Sequence, residues 1–137
     1  MEDLVTQRGE NLPPIPWDVY PRPRMRRESY VNLNGDWEFA VSVSPMLPED
    51  YPDTIRLPFC PESLLSGLDM EVKPGSNLFY RTHFTLPEGF KKDRVLLHVG
   101  AADQKAEIYV NGRHMCSHIG GYESFTADIT DGLLEDD

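Results

Sequence analysis

Beyond Ser29, hydrophobic and polar residues alternate with period two over most of the chain, and this pattern predicts strands rather than helices. Trp37, Phe39, Val41 and Val43 share one face of a first strand, Glu38, Ala40 and Ser42 take the other, and Ser44-Pro45 ends it. Thr54 to Leu57 makes a short strand before Pro58. Phe79, Arg81, His83 and Thr85 alternate with Leu78, Tyr80, Thr82, Phe84 and Leu86, predicting one long strand closed by Pro87-Glu88-Gly89. Val95, Leu97 and Val99 alternate with Arg94, Leu96 and His98, and Ala106, Ile108 and Val110 with Lys105, Glu107 and Tyr109. Asn111-Gly112 follows at once, a pair that accepts positive φ at both centre positions of a type I′ turn, so His114 to Ile119 returns as the second arm of a hairpin.

Between these runs lie loops, at Met46 to Asp53 and over the long proline-, glycine- and serine-bearing stretch from Pro61 to Ser76; loops of that length are often functional. Residues 1–29 carry Pro13, Pro14, Pro16, Pro21 and Pro23, which remove backbone donors and favour extended neighbours. That arm is expected to contain no helix and to run over a surface with Ile15, Trp17 and Tyr20 pressed into it. No helix with an apolar stripe and no internal repeat is evident. Short strands with turn signals between them predict an all-β sandwich over residues 30–137.

The chain has 137 residues, enough for one core and too few for two well-packed ones; such a fold buries roughly two-thirds of its unfolded surface. Its 23 acidic against 13 basic side chains give a formal charge of −10. Acids and bases balance before Val31, so the excess lies in the β region, and a nucleic-acid partner is not expected. Arg22, Arg24, Arg26 and Arg27 could hold an anion, but Glu28 and the acidic surface neutralise them. Cys60 and Cys116 show no pairing pattern; Cys60 reads as a small buried apolar residue. No leader and no bilayer-spanning run is seen, so the expectation is a cytoplasmic chain without a membrane partner.

Candidate chemistry is sparse. Glu62, Glu107, Glu123 and Asp128 could be combined into a carboxylate pair, but nothing in their spacing selects two, so no catalytic residue is assigned. His114, Cys116 and His118 would share one strand face, where imidazole and thiolate hold zinc; no fourth ligand lies nearby, and neither metal nor cofactor is assigned. The loop Gly120 to Phe125 has two readings. Tyr122 either offers an aromatic face to a sugar, with Glu123 beside it, or joins Phe125 in clamping the loop to the core, and the clamp is the plainer expectation.

Five segments, in order, resemble glycoside hydrolase family 2, which contains β-galactosidases, β-glucuronidases and β-mannosidases. They are Leu33-Asn34-Gly35-Asp36-Trp37-Glu38-Phe39, Pro58-Phe59-Cys60-Pro61-Glu62-Ser63 with Ser66-Gly67, Tyr80-Arg81 running to Leu86-Pro87, Val110-Asn111-Gly112, and His118 with Gly120-Gly121-Tyr122, Phe125 and Asp128-Ile129-Thr130. The resemblance covers about Tyr30 to Leu134 and implies the family's N-terminal jelly-roll domain, galactose-binding-like, here stopping before its last strands. Trp37, Arg81, Asn111, Gly112, His118, Gly120, Gly121 and Phe125 would then be structural motif residues, and Glu62, Tyr122 and Glu123 the candidates for touching substrate. Catalysis in the family belongs to a separate (β/α)8 barrel downstream, so the implied role is non-catalytic: packing on that barrel, shaping the pocket rim and joining subunit contacts in a homo-oligomer. A carbohydrate-binding module and an assembly domain, the latter using an exposed sheet edge, are the alternatives.

Overall fold

Gly35–Ser42 forms β1, the central strand of an antiparallel sheet ordered β2-β1-β3, with β2 at Asp53–Leu57 and β3 at Asn77–Arg81. The computed structural model describes residues 5–20, 24 and 27–134; Arg22, Arg26 and the 135–137 terminus, and whatever was expected of them, lie outside these. The chain divides into two compact units, Met1–His83 and Phe84–Asp137.

In the first unit the register places Trp37 opposite Ile55 and Phe39 opposite Tyr80, so these four share a face. Phe39 and Ile55 are fully buried, each stabilising the unit by about 1.5–3 kcal/mol, and the Tyr80 ring meets Phe39 edge-on at 5.1 Å. The Trp37 indole nitrogen donates to the Leu33 carbonyl at 2.7 Å. The opposite face is charged: Asp36 stands across from Arg56, and Glu38 across from Arg81. The apolar face is shorter than the alternation implied. β1 ends at Ser42, Val41 is half-exposed and Val43 is 85% exposed, because pairing with β3 stops at the Ser42–Asn77 register position.

The arm departs from expectation twice. A single helical turn, α1 (Gln7–Glu10), forms ahead of the first proline, its N-terminus capped by the Thr6 hydroxyl accepting from Gly9 N. Further on, Pro16 is buried but Trp17 is 61% exposed, leaning on Phe59 at 5.5 Å. What fixes this part is not aromatic burial. Asn34 Nδ2 donates to Pro16 O and Asn32 Nδ2 to Trp17 O, two amide side chains satisfying carbonyls that the prolines leave without a ladder.

The long strand expected from Leu78 to Leu86 is also shorter, since β3 ends at Arg81 opposite Glu38. Phe84 and Leu86 pack instead on the core of the second unit, with Phe90, Leu97, Val110, Met115, Cys116 and Leu133 around buried Val95, Ala127 and Ile129. There β4 (Leu96–Val99) pairs antiparallel with β7 (Phe125–Asp128), and β5 (Lys105–Val110) with β6 (Arg113–Ile119). The β5–β6 turn is as expected: Asn111 has φ 49° and Gly112 φ 78°, and Asn111 Nδ2 also bonds Gly132 O. Within β6 the register shifts, so that Cys116 pairs with Ile108 but His114 with Tyr109, and Met115 is a bulge residue. Beyond β7, Thr130 stitches the ends together, its hydroxyl accepting from Val95 N and donating to Asp128 Oδ1. The all-β class predicted from the sequence holds, built from antiparallel sheets.

Candidate functional site

The loop between β6 and β7 is set by its glycines. Gly120 has φ 133° and donates its N–H to Gln104 O at 2.8 Å. A Cβ on Gly121 would lie 2.5 Å from Asp103 Oδ1, so only glycine fits there. At the loop's far end Phe125 is buried and stacks on the His118 ring, centroids 4.3 Å apart and planes 15° apart. His118 Nε2 is buried without a hydrogen-bond partner among the described residues. A Cβ on Gly120 would lie 3.6 Å from that nitrogen and 3.8 Å from Glu123 Oε2. Phe125 is thus the clamp, as expected, but Tyr122 is not: its side chain is fully exposed, because the loop is anchored by the His118–Phe125 stack and needs no second ring. Glu123 beside it is exposed as well. This loop brings an aromatic face and a carboxylate to the surface side by side, the combination a pyranose ring can use.

Glu62, the third substrate-binding candidate, belongs to the first unit, exposed in the turn where Ser63 N donates to Cys60 O. Tyr80 is pushed up to about 12, first by burial and then by the negative charge of Glu62 and the nearby Cys60. Cys60 itself is exposed rather than buried, since that turn directs the thiol away from the core; both cysteines are free. Arg81 forks onto Glu38 (2.6 and 2.9 Å) and lies over the Tyr51 ring at 4.0 Å. The Arg81 bonds hold the Glu38 carboxyl below its ordinary range.

The three residues with zinc-like spacing are separated by the bulge. Cys116 and His118 pair with Ile108 and Ala106 on the inner face, whereas His114 pairs with Tyr109 and faces outward. Among the described residues, no three His, Cys, Asp or Glu side chains converge to hold a metal ion. His114 joins a network that sequence reading missed: its Nε2 lies 2.6 Å from Glu107 Oε2 and 3.1 Å from Ser117 Oγ, and Ser117 donates to the same carboxylate oxygen. Serine, imidazole and carboxylate thus meet at one ring nitrogen. A relay needs the hydroxyl on one nitrogen and the carboxylate on the other, so this row cannot activate a nucleophile in that way. The Ser117 and His114 bonds hold Glu107 down to about 2. Asp128 is lowered too, by Thr130 and then Arg94. The only signal for the row in the sequence was the alternation that put Glu107 outside.

Comparison with known proteins agrees with the motif order. A β-glucuronidase from Felis catus is 31% identical over 130 residues, covering 82% of this chain and 20% of that protein. A β-galactosidase from Thermoanaerobacter pseudethanolicus is 28% identical over 117 residues, covering 74% and 14%. The structure of a β-D-glucuronidase from Dictyoglomus thermophilum superimposes with TM-score 0.58 and 28% identity over 77% of this chain and 17% of that one. The chain is a relative of the family 2 glycoside hydrolases. No family model matches it. It spans about one fifth of the length of the first curated relatives it matches, so this region corresponds to part of larger glycosidases. Among the described residues no helix is long and apolar enough to cross a membrane.

Proposed function

We propose that this family 2 relative is a non-catalytic β domain of a retaining β-glycosidase, serving to pack on the downstream catalytic barrel, shape the rim of its pocket and contribute to subunit contacts. The reading rests on the match to one fifth of several glycosidases combined with the state of the carboxylates. Retaining hydrolysis uses two carboxyl groups about 5–5.5 Å apart, one of them kept protonated by its surroundings. Glu38, Glu107 and Asp128 are all driven the other way, toward the ionised form, by Arg81, by Ser117 with His114, and by Thr130. The test is turnover of aryl β-glucuronide, β-galactoside and β-mannoside by this chain. None is expected; turnover that vanishes in Glu62→Gln or Glu123→Gln would replace the proposal with a self-contained active site.

A second reading is favoured by one observation, the full exposure of Tyr122 on a loop whose ends are fixed. It makes the chain a carbohydrate-binding module that stacks a sugar on that ring. Retention on immobilised β-glycan that is lost in Tyr122→Ala supports this; retention unchanged by that substitution rejects it.

A further inference from the structure

The charged face of the first unit carries a cleft of about 320 Å³. Its floor is the cross-strand pair Asp36–Arg56 with Thr54 beside it, and its walls are Leu12 on one side and Leu64 and Leu65 of the short 3-10 turn on the other. The walls are built, not incidental. A Cβ on Gly9 would come within 2.9 Å of Val5 Cγ1 and 3.3 Å of Leu65 Cδ2, so glycine lets α1 seat closely on the leucine. Ser66 Oγ donates to Ser63 O at 2.6 Å and accepts from Leu68 N at 3.1 Å, which fixes the 3-10 turn and leaves that hydroxyl fully used.

The floor groups, by contrast, are half used. Arg56 reaches Asp36 Oδ1 through Nε alone, at 3.1 Å. Among the described residues its two terminal amino groups, the second oxygen of Asp36 and the Thr54 hydroxyl have no partner. The cleft therefore offers several donors and acceptors from a pair whose charges cancel, facing apolar leucines. That chemistry suits a ring with hydroxyls on its edge and C–H bonds on its face, and Asp36 disfavours phosphate or carboxylate. The volume lies at the small end of ligand pockets, near room for one such ring.

We propose that this cleft binds a single neutral hexopyranose. The choice of ligand comes from the cleft and does not depend on the packing role above. The test is amide chemical-shift mapping of the 137-residue chain with methyl β-galactoside and methyl β-glucoside, against methyl β-glucuronide and inorganic phosphate. Weak, saturable shifts at Thr54, Arg56 and residues 64–67 are expected with the neutral sugars only. Arg56→Met should weaken them about tenfold, the loss of hydrogen bonds from a charged donor, while Tyr122→Ala leaves them unchanged. If Arg56→Met loses amide dispersion, Thr54→Val decides, with a several-fold loss expected. A trisaccharide shifting the same residues identifies a glycan end as the source, a monosaccharide acting alone a free hexose; either supports the cleft. No shifts with any neutral sugar, stronger shifts with phosphate, or shifts centred on Tyr122 would overturn it.

Discussion

A guanidinium forked onto a carboxylate and laid over a ring cannot be exchanged for an ammonium without losing both contacts, which makes Arg81 the most particular charged residue of the first unit. Arg81→Lys should lower the melting temperature more than Arg56→Lys, whose partner is held by a single bond; differential scanning fluorimetry of the two variants compares them. Two glycines of the second unit separate conformation from space. Gly112 has φ 78° and open surroundings, so Gly112→Ala costs only backbone strain, about 1–2 kcal/mol, and Gly112→Asn less. Gly132 has no such φ, but a Cβ there would sit 2.9 Å from Val110 Cβ and 3.0 Å from Met115 Sδ, so Gly132→Ala overpacks by about 1–3 kcal/mol. Urea denaturation measures both, and a harmless Gly132→Ala would mean the turn is looser than drawn. The Asn111-Gly112 signal was legible because it is local. Glu38 as the partner of Arg81 was not, because those residues lie 43 positions apart and meet only through strand register.

At the level of elements, period-two alternation located β1 to β7 well and their ends poorly. Alternation continues wherever side chains happen to alternate, whereas a strand stops when its neighbour stops, as β3 does at Arg81 and β1 at Ser42. The arm shows the converse: prolines announced an extended path, but the helical turn before them depended on a cap at Thr6, a signal the proline count outweighed. The bulge in β6 had no signature at all. It decides the hairpin's two faces, and with them the outer row of Glu107, His114 and Ser117. In that row Glu107 titrates near 2 in the fold against an ordinary value near 4.5. Its contribution is therefore complete above about pH 4.5 and lost as pH falls toward 2. Glu107→Gln should flatten the acid limb of stability against pH; an unaltered limb would mean that solvent screens the row completely.

Across the whole chain, 23 acidic residues against 13 basic ones make the acid limb shallow where carboxylates repel and steep where they are bonded. The alkaline limb has a different owner. Tyr80 is raised to about 12, while an unfolded tyrosine ionises near ~10. Neutral Tyr80 thus adds stability below pH 10 that drains away as pH climbs toward 12, and Tyr80→Phe should remove that slope in alkaline denaturation. Each unit has its own apolar centre, Phe39 and Ile55 in one and Val95, Ala127 and Ile129 in the other, so Phe39→Ala is expected to cost about 3–5 kcal/mol in the first. Sequence order of motifs was enough for the family and the fold class. The cleft was not legible, because its walls come from α1, β1, β2 and a 3-10 turn that only folding assembles. One consequence of the bulge concerns insertions and deletions. Because Met115 stands outside the ladder, excising it leaves every pairing of β6 in phase and removes only a core sulfur. Excising Ser117 instead shifts the parity of the residues that follow, exposing His118 and turning Ile119 inward. Length variation in this hairpin is therefore tolerable at a single codon and disruptive at the next two.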